Sequence, residues 1–279
     1  MRKITVKRID EFREYLKFEE KSISTLNKYI HDVTVFGQWC LDREVDKSLM
    51  LEYKQIIIGK YAPASVNAIL SSLNRFLEFV GWTDCKVKAV KIQRQIFAAK
   101  EKEMTKAEYQ RLLRAALDKN NKRLYYLMQT ICSTGIRVSE LRFITVEAVK
   151  AGQATINCKG KMRIVILPKQ LCQLLKKYVR ERRITSGAVF ITKSGKPMDR
   201  SNIWSDMKKL CADAGVDKNK VFPHNFRHLF ARTYYSAQRD IIRLADILGH
   251  SNINTTRIYT METGEVHRKQ IQKLGLLQC

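Results

Sequence analysis

The sequence predicts a mainly α-helical protein of two domains, the second of which is mixed α+β with a small antiparallel sheet or hairpin. Two features support this fold class. Apolar residues recur at helical spacing through the first ninety residues, and a charged stretch then separates them from further helices and two β-favouring runs. With 279 residues, 45% of them hydrophobic, the chain is long enough to bury a core in each domain.

The first domain, residues 1–91, is predicted to be a bundle of about four helices. The clearest helix follows Pro63, because apolar residues then return every three or four positions. These residues are Val66, Ile69, Leu70, Leu73, Phe76, Leu77 and Val80. Earlier apolar clusters predict helices around Phe12, around Ile30 and over residues 49–58. By itself, this pattern supports a DNA-binding module and a plain helical scaffold equally well.

A linker is predicted at residues 92–104, where the sequence is charged and has few core-type residues. The second domain, residues 105–279, then opens with Thr105 and Glu108, which have the spacing of a capping box at the start of a helix. The domain ends in a tail, from about residue 261, that contains several apolar positions.

An arginine stands at a predicted helix entrance in the second domain. Gly135 can end one helix in the left-handed conformation, and residues 138–143 can start the next, which leaves Arg137 between them. Such an arginine pairs with a carboxylate or with a phosphate. Glu140 is close enough to brace Arg137, so a structural salt bridge and a phosphate-binding role both remain open here.

Two β-favouring runs, residues 154–158 and 163–167, flank a basic tripeptide and predict a β-hairpin. Lys159 lies at its tip, where an ammonium group could reach a phosphate or a leaving oxygen. A solvated turn is the simpler interpretation of this segment alone. A further short strand is predicted over residues 189–192, and a helix is predicted to start near Ser201.

The stretch from Phe222 to Thr260 concentrates residues that handle phosphate groups. It contains a His-x-x-Arg unit, a second histidine after a helix-ending glycine, and a tyrosine nine positions later, namely His224, Arg227, His250 and Tyr259. An arginine holds phosphate oxygens with a planar charged fork, a histidine carries a proton near neutral pH, and a tyrosine hydroxyl can act as a nucleophile.

This stretch also has simpler interpretations than phosphate chemistry. His224 and His228 stand four apart, as zinc ligands can, but Arg227 between them would repel a cation, so no metal site is predicted. Tyr234 is a rival nucleophile by chemistry, as is the adjacent Tyr235, yet both are expected inside a helix among apolar neighbours. Tyr259 could also be a packing aromatic.

The charge of the chain predicts a polyanionic partner. The net charge is +25, and the last 179 residues hold 34 Lys and Arg against 15 Asp and Glu. Seven scattered cysteines without a C-x-x-C pair argue against a disulfide framework and fit a reducing cytoplasm. Neither a signal peptide nor a long apolar run is found, so a cytoplasmic protein without a membrane partner is expected.

Taken together, the segments TGIRVSEL, CKGKMRIVILP, PHNFRH and LGHSNINTTRIY closely resemble those of the tyrosine recombinases, the phage integrase family, in order and spacing. The resemblance covers the second domain and extends more weakly to the first. It implies a two-domain, Xer-like arrangement, with a helical, SAM-like core-binding domain at 1–91 and a catalytic domain at 105–279.

The resemblance also implies the role of each site residue. Tyr259 would attack a DNA phosphodiester and form a 3'-phosphotyrosyl link. Arg137 and Arg227 would hold the non-bridging oxygens, and Lys159 would protonate the leaving oxygen. Two histidines, His224 and His250, would assist proton transfer and orient the phosphate. Glu140 looks like the acidic residue that supports the first arginine. Neither a cofactor nor a metal ion is implied.

The expected partners are double-stranded DNA and further copies of the chain, assembled as a tetramer on two DNA sites with tails exchanged between protomers. Integration, excision and resolution of DNA are all compatible with the sequence. Two alternatives remain at this point: a sequence-specific DNA-binding regulator that does not cut, and a type IB topoisomerase-like relaxing activity. The first would form no covalent adduct with DNA, and the second would need no second DNA site.

Overall fold

The computed structural model describes residues 2–41, 43–92, 103–158, 161–259 and 272–273, without the side chains of residues 158 and 161. The chain divides into two compact units, residues 1–94 and 95–279. The predicted mainly α fold is confirmed, since helices dominate the described residues and their only sheet has two antiparallel strands. Most of the predicted linker, 92–104, lies outside the described residues, so the assigned domain boundaries stay predictions.

The described part of the first unit contains four α-helices. They are α1 (Val6–Phe18), α2 (Ile23–Cys40), α3 (Lys47–Lys60) and α4 (Pro63–Phe79), followed by a short 3-10 helix (Thr83–Cys85). Side chains that precede α2 and α3, Ser22 and Asp46, accept backbone N–H groups at the helix starts. The apolar face predicted for α4 is turned inward, with Leu73 and Phe76 at most 1% exposed.

The first part of the second unit contains helices and a β-hairpin. In order they are α5 (Lys106–Asp118), α6 (Lys122–Thr134), a 3-10 helix (Val138–Phe143), α7 (Val146–Ala151), β1 (Gln153–Cys158), β2 (Lys161–Ile166) and α8 (Lys169–Glu181). The remainder is α9 (Arg200–Lys209), α10 (Cys211–Ala214), a 3-10 helix (Lys218–Lys220), α11 (Pro223–Gln238), α12 (Ile241–Leu248) and α13 (Asn254–Arg257). α6 packs against α11, which brings the end of α6 close to the start of α11.

The hairpin pairs β1 with β2 from Gln153↔Ile166 to Cys158↔Lys161. The further strand predicted over residues 189–192 is wrong. That segment forms only isolated bridges, Thr145↔Ala188 and Ile191↔Pro197. Its β-favouring residues reflect burial, because Val189 and Phe190 are at most 2% exposed, while the chain turns too soon for a ladder to continue.

Local signals in the sequence place the helix ends of the second unit. Thr105 and Glu108 form the predicted capping box at the start of α5. Gly135 ends α6 with φ +64°, and Gly249 ends α12 with φ +64°, both in the left-handed region. The residues that follow these two glycines therefore leave their helices at defined angles. Within the described ranges, no helix has the length and apolar character needed to cross a bilayer.

Candidate active site

Arg137 is held at the entrance of the 3-10 helix Val138–Phe143. Its Nη1 donates to Glu140 Oε1 (3.0 Å), and its backbone N–H donates to Glu140 Oε2 (2.9 Å). Its Nη2 donates to the carbonyl oxygen of Gly249 (3.3 Å). The side chain nonetheless remains 39% exposed. Glu140 therefore orients a guanidinium that an anion can still approach from solvent.

Glu140 is buried, yet it carries its charge. Only 4% of the residue is exposed, and a second guanidinium, that of Arg163, donates from Nη2 to Oε2 (2.6 Å). Burial raises the pKa of the Glu140 carboxyl, but hydrogen bonds from the Arg137 backbone N–H and from Arg163 outweigh it, and the pKa lies below its usual value. The carboxylate at the site is thus shared by two arginines.

Arg227 lies on α11 and is 1% exposed. Its Nη1 donates to the Gly135 carbonyl, and its Nη2 donates to the Leu248 carbonyl (2.8 Å) and to His250 Nε2 (2.9 Å). Burial and the nearby charge of Arg137 lower the pKa of Arg227 to about 10. Arg227 therefore stays charged at neutral pH and links the ends of α6 and α12.

The tautomer of His250 follows from its two partners. Because an arginine N–H can only donate, Nε2 of His250 accepts from Arg227, which places the proton on Nδ1. Nδ1 then donates to Thr256 Oγ1 (2.8 Å), and Thr256 is fully buried in α13. Burial, followed by the charges of Arg227 and Arg137, lowers the pKa of His250 to about 4. His250 is a neutral, oriented imidazole at physiological pH.

His224, His228 and Tyr259 form a row of ring contacts beside Arg227. The rings of His224 and His228 meet edge to face at 4.6 Å, and so do those of His228 and Tyr259. The ring of Tyr259 also stacks on that of His250 at 6.0 Å, and Tyr259 is 3% exposed. Desolvation and the charge of Arg227 lower the pKa of His224, and desolvation and His224 lower that of His228 to about 4. All three imidazoles of the site therefore favour the neutral form.

The structure brings together five of the six residues assigned a catalytic role from the sequence. They are Arg137, His224, Arg227, His250 and Tyr259, and the supporting Glu140 joins them. Lys159 lies outside the described residues. The rival tyrosines, Tyr234 and Tyr235, pack against the apolar cluster that surrounds Tyr259.

Three residues of this arrangement were given no role in the proposed chemistry from the sequence. Arg163 contacts Glu140, Thr256 orients His250, and His228 contacts the nucleophile candidate Tyr259. Arg163 had a usable signal, since it occupies an inward position of a predicted strand, where a charged residue needs a buried partner. His228 had its spacing of four from His224, which places both on one helix face but does not indicate the contact with Tyr259. The partner itself, Glu140, is 23 positions away and could not be identified from spacing.

Comparison with known proteins identifies the family. The model of the phage integrase family matches residues 102–265. The chain belongs to the phage integrase family. It is 29% identical to the tyrosine recombinase XerA of Thermococcus kodakarensis, over 97% of this chain and 96% of that protein. It is 28% identical to the TnP I resolvase of Bacillus thuringiensis, over 90% of this chain and 93% of that protein.

A crystal structure of a lambda integrase tetramer bound to a Holliday junction shares the fold, with a TM-score of 0.73 and 16% identity. The match covers 91% of this chain and 76% of that one. The prediction of a tyrosine site-specific recombinase is confirmed by the family match and these relatives. The two alternatives, a DNA-binding regulator that does not cut and a topoisomerase-like enzyme, are not favoured.

Proposed function

We propose that this chain breaks and rejoins duplex DNA at specific sites, with Tyr259 as the nucleophile and Arg137, Arg227 and Lys159 as its cationic partners. One observation carries the assignment of residues. Two arginines, two histidines and a tyrosine, which come from separate segments of the chain, meet around one point in the second unit. Four of these five side chains carry charge or titrate, which apolar packing alone does not require.

In the proposed reaction, the Tyr259 oxygen forms a bond to the scissile phosphorus while the bond from phosphorus to the 5' oxygen breaks. The products are a 3'-phosphotyrosyl enzyme and a free 5'-hydroxyl. The tyrosine loses its proton, and the leaving oxygen gains one from Lys159. The reverse attack by a 5'-hydroxyl rejoins a strand. Because the phosphotyrosyl ester retains the energy of the broken bond, no nucleotide cofactor is required.

The two arginines suit the transition state of this reaction. Phosphoryl transfer spreads negative charge over the non-bridging oxygens, and preorganised guanidinium groups stabilise that charge. Arg137 offers an exposed guanidinium fixed by Glu140, and Arg227 offers a buried one whose Nε has no partner among the described residues. Both are positioned before DNA arrives, so little reorganisation accompanies the chemical step.

The histidines suit proton transfer and orientation in this proposal. A neutral His224, the most exposed of the three imidazoles, can accept the proton that Tyr259 loses. His250 keeps its Nε2 beside Arg227 and its Nδ1 on Thr256, so it fixes the orientation of the arginine that faces the phosphate. The lowered pKa of His224 keeps its imidazole in the neutral form, which can accept a proton at neutral pH.

Duplex DNA is the proposed partner. The net charge of +25 suits a polyanion, and contacts to phosphates supply affinity without regard to sequence. Self-association into a tetramer on two DNA sites, with the tail from about residue 261 docked on a neighbouring protomer, is proposed by analogy with the lambda integrase tetramer on a Holliday junction. The resolvase relative supports resolution or mobile-element recombination as the biological task.

The nucleophile is tested with trapped DNA. Bound fragments of genomic DNA are first selected to define a site, and a duplex nicked next to the scissile phosphate is then made so that the cleaved fragment dissociates. The wild-type chain is expected to form a covalent adduct on a denaturing gel, and Tyr259→Phe is expected to form none. Tyr234→Phe and Tyr235→Phe serve as matched controls that keep the adduct. An adduct that persists in Tyr259→Phe would contradict the assignment.

A further inference from the structure

Arg163 is a largely buried arginine of the hairpin, and the proposed reaction does not use it. It lies opposite Ile156 in the β1–β2 register, on the face that also buries Val165, whereas its neighbours Met162 and Ile164 are 73% and 59% exposed. Its side chain is 17% exposed. A guanidinium in this position must have strong partners to offset its desolvation.

The partners of Arg163 are a carboxylate that also holds Arg137 and a carbonyl group at the end of α12. Nη2 donates to Glu140 Oε2 (2.6 Å), and Nη1 donates to the carbonyl oxygen of Ile247 (2.9 Å). Glu140 is the same carboxylate that holds both the backbone and the side chain of Arg137. Arg163 thus connects the hairpin to the end of α12 and to the residue that orients Arg137.

At the end of α12, three successive carbonyl groups each accept a hydrogen bond from a different arginine. Ile247 accepts from Arg163, Leu248 from Arg227 and Gly249 from Arg137. A helix C-terminus carries partial negative charge, and its last carbonyl groups have no partner within the helix. Here the three guanidinium groups supply the missing hydrogen bonds and the opposite charge. The same turn leads directly to His250. The arginines and the histidine are therefore arranged around one helix end.

We propose that Arg163 is a positioning residue that neutralises Glu140, so that Arg137 keeps a net positive charge for the scissile phosphate. Two guanidinium groups and one carboxylate leave one positive charge in excess, and that charge lies on the exposed side, at Arg137. Without Arg163, the buried carboxylate would be balanced by Arg137 alone, and the pair would face the phosphate with no net charge. This inference rests on the proposed DNA cleavage.

Charge and hydrogen-bond geometry are separated by a set of variants, assayed on the nicked duplex. Arg163→Met is expected to slow cleavage about a hundredfold, because Arg137 would then offer the transition state no net charge, which resembles the loss of one preorganised contact. Arg163→Lys keeps the charge, and Arg163→Gln keeps hydrogen-bond donors without the charge. The cleavage rate is therefore expected to fall less in Arg163→Lys than in Arg163→Gln. Arg180→Met, at an exposed arginine of α8, is the matched control and should cleave normally.

The decisive comparison removes the carboxylate as well. In the double variant Glu140→Gln and Arg163→Met, Arg137 regains an unbalanced charge, so cleavage should be at least tenfold faster than in Arg163→Met alone. A double variant no faster than Arg163→Met would overturn the proposal, because a purely structural role predicts further loss. Thermal unfolding of each variant reports on folding. If Arg163→Met does not fold, the proposal is tested with Arg163→Lys and Arg163→Gln instead. Equal losses of cleavage rate in these two variants would overturn it.

A neutral substrate gives an independent measurement. Replacing one non-bridging oxygen of the scissile phosphate by a methyl group removes the charge that Arg137 is proposed to meet. The preference of the enzyme for phosphate over this methylphosphonate should fall in Arg163→Met and Arg163→Gln, and an unchanged preference would contradict the charge role. Failure of the wild-type chain to form any adduct would instead refute the proposed cleavage itself, so the two failures are distinguishable.

Discussion

Tyr259 is enclosed by the residues that are proposed to assist it. Its ring meets His228 edge to face and stacks on His250, and the hydroxyl favours the charged form of Arg227, which is itself buried. In the proposed reaction, a phosphotyrosyl link at Tyr259 would therefore form beside the guanidinium of Arg227. Enclosure also explains why three imidazoles and two arginines coexist here, since the imidazoles give up their protons rather than add to the positive charge.

The neutral histidines make the stability of the second unit sensitive to acid. Folding holds the pKa of His228 and that of His250 at about 4, against about 6.5 in an unfolded chain. Between these values the unfolded chain binds more protons, so the free energy of unfolding falls as the pH falls. We expect each histidine to contribute a loss of about 1 to 2 kcal/mol between pH 7 and pH 5.

This expectation is checked by denaturant unfolding of His250→Gln at the two pH values. A glutamine does not titrate, so the variant should lose less stability on acidification than the wild-type chain does. His31→Gln, at an exposed histidine of the first unit, is the matched control and should follow the wild type. Parallel pH curves for His250→Gln and the wild type would show that His250 is not held neutral by the fold.

The end of α12 depends on a glycine for two reasons. Gly249 has φ +64°, and a Cβ added there would lie 2.4 Å from Cδ of Arg163. Arg163 is fixed at both ends of its guanidinium, by Glu140 and by the Ile247 carbonyl, so it cannot move aside without losing a partner. The glycine therefore permits both the turn toward His250 and the close passage of the arginine.

Gly249→Ala is accordingly expected to lower the free energy of unfolding by more than backbone strain alone would. Gly152→Ala is the matched control, because Gly152 ends α7 at φ +74° and a Cβ there meets nothing within 4 Å. The control should lower the free energy of unfolding by about 1 to 2 kcal/mol, and Gly249→Ala should lower it by about 1 to 3 kcal/mol more. Cleavage of the nicked duplex should fall only in Gly249→Ala. Equal effects of the two substitutions would contradict the clash with Arg163.

The elements of the second unit differ in how far sequence could predict them. Gly135, Gly249 and the capping box at Thr105 were predictable, because these signals act within a few residues. The strand predicted over residues 189–192 was wrong, because β-favouring residues also serve burial. The contact between Arg163 and Glu140 joins distant positions, so it appears only when the hairpin, the 3-10 helix and α12 are assembled.

Across the whole molecule, positive charge is concentrated where the proposed chemistry occurs. Residues 1–100 hold 18 Lys and Arg against 12 Asp and Glu, whereas residues 101–279 hold 34 against 15. Such a distribution predicts that the second unit provides most of the affinity for DNA phosphates and that binding weakens steeply with salt. The first unit, whose described residues form four α-helices, has a modest net charge and is expected to contribute less electrostatic attraction.

The proposed self-association concerns the whole chain, because one active site of the proposed kind would cut only one strand. The tail has apolar residues that could cover a neighbouring protomer, and their positions lie outside the described residues. They are Val266, Ile271, Leu274, Leu276 and Leu277. Deleting residues 265–279 is expected to leave binding to one DNA site largely intact while weakening both synapsis of two sites and cleavage.

Binding is measured by gel shift on a single site, and synapsis by the slower complex that contains two sites. Leu274→Ser with Leu277→Ser should reproduce the truncation, whereas the matched polar pair Gln270→Ser with Gln278→Ser should not. Replacing leucines by serines removes apolar area from the proposed contact between protomers. Replacing glutamines by serines removes little apolar area, so that contact should remain. Unchanged recombination by the truncated chain would show that the tail is not the element that joins protomers, and assembly would then have to rest on the two described units.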